Sequence, residues 1–103
     1  MLLSDKLKTL RKKTGLPQRK IAAKLDIDTA TYCKFEKGIL RPKRKHIIIL
    51  CSLFGESEQE LLKLWLADKI TAIAKTENAV ALDALKIVND TFNTINQDSE
   101  CNG

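Results

Sequence analysis

The sequence has few of the residues from which catalytic and metal sites are usually built. Its only histidine is His46, and its three cysteines show no C-x-x-C spacing. An odd cysteine count without that spacing argues against a zinc site and against a disulfide framework. We expect Cys51 in the core, Cys33 as a free thiol and Cys101 in a tail. Because no set of acid, base and nucleophile stands out, we expect no enzyme, no metal and no cofactor.

Glycine, proline and long apolar runs are also scarce. Four Gly and two Pro are few for an all-β chain, which needs many turns. Apolar residues recur instead at spacings of three and four, which is the helical period. No apolar run approaches the roughly 18 residues of a membrane span, and the first residues lack the pattern of a signal peptide. We therefore expect an all-α protein in the cytoplasm, with no membrane partner.

Charge is abundant but unevenly distributed along the chain. Residues 1–55 contain 14 Lys and Arg against 4 Asp and Glu, a net charge of +10. Residues 56–103 contain 4 against 9, a net charge of −5. The first half is therefore a candidate binder of a polyanion, and the second half is not. A basic half can also be an ordinary solvated surface, so the motifs must decide between these interpretations.

The basic half is predicted to begin with a helix that has Leu3, Leu7 and Leu10 on one face. Ser4 and Asp5 are the candidates for capping its start. A fourth helix, further along, shows Ile47, Leu50, Cys51 and Phe54 at helical spacing.

Between these lie two short helices joined by a turn of a few residues. Pro17 stands where the first of the two begins. Asp28 is expected to cap the second by accepting from the backbone N–H of Ala30 or Thr31. Two helices joined by such a turn can place the second in the major groove of DNA, which is about 12 Å wide. The pattern therefore predicts a DNA-reading helix over residues 28–37.

This reading helix has two unlike faces. Tyr32, Phe35 and Glu36 lie on the inward side. From the other side we expect contacts to DNA by Thr29, Ala30, Thr31, Cys33, Lys34 and Lys37. Lys34 suits guanine O6 or N7, and Thr29 and Ala30 suit a thymine methyl. A phosphate contact by Lys34 remains an equal alternative.

The loop that follows, "ILRPKRK" (39–45), is strongly basic. Phosphate contacts supply affinity and register but no choice of sequence. The candidates for these contacts are Arg41, Lys43, Arg44 and Lys45, with Arg19 as a further one. Each of them has the alternative of being a solvated surface charge.

The acidic half is predicted to contain two more helices. "SEQE" (57–60) has the form of a capping box, in which the Ser57 hydroxyl accepts from the N–H of Glu60 and the Glu60 side chain reaches back. This fifth helix continues to about Lys75. A last helix, near residues 78–96, has an apolar seam of Ala81, Leu85, Val88, Phe92 and Ile95.

Taken together, residues 11–57 resemble the phage-repressor, Cro-like (XRE) helix-turn-helix family. The matching residues are "LRKKTGLPQ" (10–18), Ala22, Leu25, Ile27, "FEKG" (35–38), Pro42 and "LFGES" (53–57). The resemblance implies a five-helix lambda-repressor-like domain, here with an additional C-terminal helix. It also implies a transcriptional regulator that binds a two-fold symmetric operator in double-stranded DNA as a homodimer. For single residues, it implies a phosphate contact by Gln18 and an internal salt bridge between Arg11 and Glu36.

The chain departs from the family pattern at three positions. Asp26 replaces a frequent glycine in the inter-helix turn, and aspartate tolerates the left-handed conformation better than most residues. Tyr32 replaces an aliphatic residue, and we expect its ring to pack while its hydroxyl reaches the surface, near a phosphate. Arg44 replaces an apolar residue, which suggests a phosphate contact or a looser start to the fourth helix.

The last helix needs a partner, because an apolar seam is stable only when it is buried. Two partners are possible for this seam: a second subunit, or the chain's own first and fifth helices. For a dimer, the expected interface residues are Trp65, Leu66, Leu85, Val88, Phe92 and Ile95. The chain then divides into a DNA-binding domain (1–66), a helical extension for dimerisation (67–97) and a disordered tail (98–103).

Narrower hypotheses concern regulation. "LWLADK" (64–69) resembles short regulators that occur near restriction–modification genes. The alternative function is an antitoxin of the same fold, which neutralises a partner protein through its last helix. Cys33 on the groove-facing side would permit redox control if its pKa were lowered. No small-molecule effector is evident.

Overall fold

The computed structural model describes the backbone of residues 1–102 and the side chains of residues 1–96. The described chain has no strand, and its six helices are α1 (Leu2–Thr14), α2 (Gln18–Leu25), α3 (Thr29–Lys37), α4 (Arg44–Phe54), α5 (Glu58–Lys75) and α6 (Asn78–Asn102). The predicted all-α fold is confirmed. The expected disordered tail, residues 98–103, lies outside the described side chains and stays a prediction.

The chain forms two units, Met1–Lys69 and Ile70–Gly103. In the first unit, α1 to α4 and the start of α5 surround one apolar core, in which Leu7, Ile21, Ile47 and Leu61 are fully buried. The same unit buries Leu50, Cys51 and Phe54 from α4. Burial of these side chains is the main source of stability for such a small domain.

The turn between α2 and α3 is set by two aspartates. Asp26 ends α2 with φ 58 and ψ 44, and it is the one non-glycine residue of the described chain with a positive φ. Asp28 accepts a hydrogen bond from the N–H of Thr31 at 2.7 Å and so caps α3. Both predictions are confirmed. The turn is short because one aspartate ends the first helix and another, two residues later, begins the next.

The predicted cap of α1 was wrong. The helix begins at Leu2, and neither Ser4 nor Asp5 caps it. The carboxylate of Asp68 caps it instead, accepting from the N–H groups of Leu2 at 3.1 Å and Leu3 at 3.0 Å. This carboxylate comes from α5, 66 residues away from Leu2, so local sequence could not indicate it.

The capping box at the start of α5 is present only in half. The N–H of Glu60 donates to the Ser57 hydroxyl at 3.2 Å, as predicted. The Glu60 carboxylate accepts instead from Nζ of Lys63 at 3.1 Å, so the reciprocal bond was wrongly predicted. A lysine three residues further along a helix is a close neighbour and draws the carboxylate forward.

The second unit consists of the end of α5, a turn at Thr76 and Glu77, and α6. Within the described residues, large apolar side chains of this unit remain exposed, among them Ile73, Leu85 and Phe92. None of the helices described is both long and apolar enough to cross a membrane.

Candidate nucleic-acid interface

The inward face of α3 fixes how this helix lies on the domain. Tyr32 and Phe35 are buried, and their rings meet edge to face with centroids 6.1 Å apart. Ala22 on α2 is buried as well, and its small side chain allows α2 and α3 to cross closely. The opposite face of α3 is therefore directed away from the core.

That outward face contains the residues predicted to contact DNA. Thr29, Ala30, Lys34 and Lys37 are exposed, whereas Thr31 and Cys33 are half-buried. These side chains are mostly polar and short, except for the two lysines. Such a surface can enter a major groove and place donors and methyl groups against base edges.

A partly buried ion pair holds the inner side of α3. Nε of Arg11 donates to Oε2 of Glu36 at 2.6 Å, and Nη2 of Arg11 donates to Oε1 at 3.1 Å. Nε2 of Gln18 donates to the same Oε1 at 3.2 Å. Only 3% of Glu36 is exposed. The cluster joins α1, α2 and α3 and includes the salt bridge that the resemblance implied.

Both groups of the pair are ionised at neutral pH. Burial would raise the pKa of Glu36, but the neighbouring polar side chains of Arg11, Tyr32 and Gln18, Arg11 most of all, outweigh it, and the pKa lies below its ordinary value. The hydrogen bond to Glu36 raises the pKa of Arg11. Since the carboxylate is almost completely shielded from water, the guanidinium is what makes its charge tolerable.

Gln18 lies half-buried at the first position of α2. One of its two amide hydrogens is directed to Glu36. The second hydrogen is free to reach a phosphate, so the predicted contact remains compatible with this geometry and stays a prediction.

The expected surface role of Tyr32 was wrong. The residue is completely buried, and its hydroxyl has no hydrogen-bond partner of good geometry in the described chain. Burial, reinforced by the adjacent Glu36 carboxylate, raises the pKa of Tyr32. The larger ring fills the core position of an aliphatic residue, which takes the hydroxyl inward with it.

Exposed cations occur on α2, on α3, on the loop after α3 and at the start of α4. They are Arg19, Lys34, Lys37, Arg41, Lys43, Arg44 and Lys45. Arg44 is the first residue of α4, and the helix start there is regular, with the N–H groups of His46 and Ile47 both bonded to the carbonyl of Lys43.

His46 has a structural place in the first turn of α4. It is buried, its ring lies 5.8 Å from that of Phe35, and its Nδ1 accepts from the N–H of Lys43 at 3.4 Å. Burial lowers the pKa of His46, and the charges of Lys45 and Lys43 lower it further. The imidazole is therefore neutral, and its Nδ1 accepts a hydrogen bond at the end of the basic loop. No group of side chains in the described residues could hold a metal ion.

Sequence reasoning missed two residues that shape this surface. Asp68 caps α1, and the indole Nε1–H of Trp65 donates to the carbonyl oxygen of Pro42, within the basic loop, at 2.7 Å. Trp65 is half-buried in this domain, and its place in a dimer interface stays a prediction. Leu66, its predicted companion, is 51% exposed.

Two helices joined at a tight turn, with the second presenting a polar outer face among cations, define a helix-turn-helix DNA-binding domain. A family model described as "Helix-turn-helix" matches residues 7–61. This match covers more than half of the chain, which therefore belongs to the phage-repressor, Cro-like (XRE) helix-turn-helix family, as the resemblance indicated. The protein is a DNA-binding regulator of the XRE type, and its nucleic acid is double-stranded DNA. No curated protein and no solved structure matches the chain.

Proposed function

We propose that the protein is a sequence-specific transcriptional repressor that reads the major groove with α3 and acts as a homodimer in the cytoplasm. The observation that supports this most is the two-sided structure of α3. Its inner face is fixed by Tyr32, Phe35 and the ionised Glu36. Its outer face includes the exposed Lys34 and Lys37. The activity needs binding alone, so we propose no catalytic step.

Base recognition in this proposal falls to the outer face of α3. Lys34 is exposed in the last turns of the helix and can donate to guanine, while Thr29 and Ala30 at its start can meet thymine methyls. Asp28 is engaged as the cap of the helix, so its negative charge is partly offset by the N–H of Thr31 and by the helix N-terminus.

The surrounding cations supply affinity without sequence choice. In this proposal, phosphate contacts come from Gln18 and Arg19 at the start of α2 and from the bases of the loop after α3. A helix N-terminus such as that of α2 favours an anion for electrostatic reasons.

The second unit supports the homodimer. The α6 residues Leu85, Val88, Phe92 and Ile95 are 38–58% exposed and follow the alternating three- and four-residue spacing of a coiled-coil seam. Unpartnered apolar stripes of this length mark interfaces.

A groove in the same unit offers a place for the partner helix. The groove has a volume of about 380 Å³ and is lined by the end of α5 and the first half of α6, including Ile70, Ile73, Val80 and Leu85. We propose that α6 of a second copy lies in it. A dimer of this kind would present two reading helices to half-sites about 34–36 Å apart on a two-fold symmetric operator.

Base reading by Lys34 can be separated from phosphate binding by substitution. We expect Lys34→Ala to change the preferred DNA sequence. Binding to the consensus duplex of the wild-type protein should weaken by about 1–3 kcal/mol. The measurement is binding of the variant and the wild type to a panel of duplexes that differ at single positions. Lys37→Ala is the matched control, since it removes one exposed lysine from the same helix. An equal loss on every duplex after Lys34→Ala would show that Lys34 contacts phosphate only.

The exposed seam of α6 also supports a second candidate function, that of an antitoxin. The exposed seam of α6 would also accept a helix or groove of a different protein. Control of a restriction–modification system is a narrower form of the regulator proposal and is supported by the "LWLADK" resemblance alone.

A further inference from the structure

The basic loop between α3 and α4 is fastened from behind by α5. Residues 39–43 form neither helix nor strand. Pro42 is buried in the middle of this loop, whereas Arg41 and Lys43 on either side of it are exposed. The Trp65 Nε1–H donates to the Pro42 carbonyl at 2.7 Å, across 23 residues of sequence. The inward carbonyl and the outward cations therefore belong to one short stretch whose position depends on α5.

Trp65 is itself held in place. Its ring packs against the apolar core, and Nζ of Lys69 lies 4.3 Å from the ring centroid, a cation–π contact. One turn along the same helix, Asp68 binds the first N–H groups of α1. Because α5 is anchored at both residues, the direction of the indole N–H is well defined.

The ends of the loop are secured by other bonds. The N–H groups of Ile39 and Leu40 donate to the carbonyl of Lys34 at 3.0 and 3.3 Å. At the far end, the N–H of Lys43 reaches Nδ1 of His46 at 3.4 Å, which is long for such a bond. The short bond from Trp65 is therefore well placed to restrict the segment from Arg41 to Lys43.

We propose that Trp65 is a positioning residue for DNA binding, which holds the Pro42 carbonyl so that Arg41 and Lys43 are presented to the phosphates of a duplex. The proposal rests on the proposed function, in which these two cations contact the DNA backbone. Ordering a loop before binding lowers the entropic cost of association. Trp65 thus acts within its own domain and through the loop, without touching DNA.

The test is Trp65→Phe in the full chain, which keeps an aromatic ring and removes the N–H. Affinity for a mixed-sequence duplex is measured over a series of salt concentrations. We expect a loss of roughly 2- to 12-fold, the worth of one hydrogen bond. The slope of log K against log salt should become shallower by about 0.9 for each phosphate contact that is lost. Thermal unfolding and sedimentation are measured alongside, to confirm a folded protein of unchanged oligomeric state.

Two comparisons make the result specific. Thr9→Val removes an uncharged, exposed hydrogen bond (Thr9 Oγ1 to the Asp5 carbonyl, 3.0 Å) on α1 and should leave the salt slope unchanged. In an Arg41→Ala/Lys43→Ala background, Trp65→Phe should no longer alter the slope, since the cations that it positions are absent.

A wild-type slope for Trp65→Phe would overturn the proposal, whether or not the affinity falls, because a purely structural role does not change the number of phosphate contacts. A further change of slope in the Arg41→Ala/Lys43→Ala background would also overturn it. If the wild-type protein does not bind the duplex, the proposed function fails and this inference fails with it. If only the Trp65→Phe result is negative, the proposed function stands.

Discussion

Glu36 affects both the stability of the domain and the position of α3, the proposed reading helix. Its carboxylate is buried on the inner face of α3 and receives hydrogen bonds from α1 and α2. A charge in that place is tolerated only while its partners remain. Changes to the partners should therefore affect folding even though the pair does not face DNA.

Removing the cation should destabilise the domain strongly. We expect Arg11→Met to lower the free energy of unfolding by about 3 kcal/mol, because it leaves a buried carboxylate unpaired. Glu36→Gln removes the charge but keeps the shape, so it should lower the free energy of unfolding by less. The double variant should also lose less of this free energy than Arg11→Met alone. Urea denaturation of the four proteins measures this. Additive effects of the two substitutions would show that the pair is not coupled.

Acid should destabilise the domain in two steps. The pKa of His46 is lowered in the folded state, so below its ordinary value of about 6.5 the unfolded chain takes up the proton more readily and stability falls. The pKa of Glu36 is also lowered, so its contribution is present above about 4.3 and is lost as the pH falls further, through its folded-state value.

Substitution separates the first step from the second. His46→Gln keeps an acceptor for the N–H of Lys43 but does not titrate. We therefore expect its unfolding free energy to be flat between about pH 7 and pH 5.5, where that of the wild type declines. Chemical denaturation at each pH gives both curves. If the two proteins decline in parallel across this window, another group is responsible for the first step.

At the scale of elements, local sequence patterns predicted a helix or cap correctly wherever the stabilising contact is also local. The helical spacing of leucines in α1, the left-handed Asp26 and the cap at Asp28 all act within a few residues, and each was predicted correctly. The cap by Asp68 and the bond from Trp65 link distant parts of the chain, so no local pattern contains them.

Tyr32 shows a different limit of sequence reasoning. The spacing placed it correctly on the inner face of α3, but the hydroxyl suggested a route to the surface. Its depth depends on how α1 and α2 pack against α3, which the local pattern does not include. For the same reason the sequence indicates which side chains lie on the outer side of α3, but not which base each of them would read in the proposed complex.

The seam of α6 leads to a prediction about assembly. Phe92→Asp should raise the dissociation constant of the homodimer by about 30-fold or more, because a charge would enter its apolar centre. Asn93→Asp places the same charge on the adjacent, polar side of the helix and is the matched control. Sedimentation over a range of concentrations measures both variants. A dimer that is unaffected by Phe92→Asp would place the interface elsewhere.

On the scale of the whole molecule, the two halves differ in charge as they differ in proposed role. The first 55 residues carry a net charge of +10 and include the reading helix, whereas the remainder carries −5 and contains the exposed apolar seam. A basic domain is attracted to any DNA, and this attraction weakens steeply with salt. Charge alone therefore cannot distinguish a regulator from a general polyanion binder.

Selection of bound duplexes from a random library, carried out at two salt concentrations, tests the central claim most directly. If α3 reads bases in a homodimer, the selected sequences will share a two-fold symmetric consensus that persists at the higher salt. Half-sites in that consensus should lie about one helical turn apart, or a multiple of it. Binding without any consensus, lost at the higher salt, would contradict sequence-specific regulation and would reduce the basic half to a non-specific DNA surface.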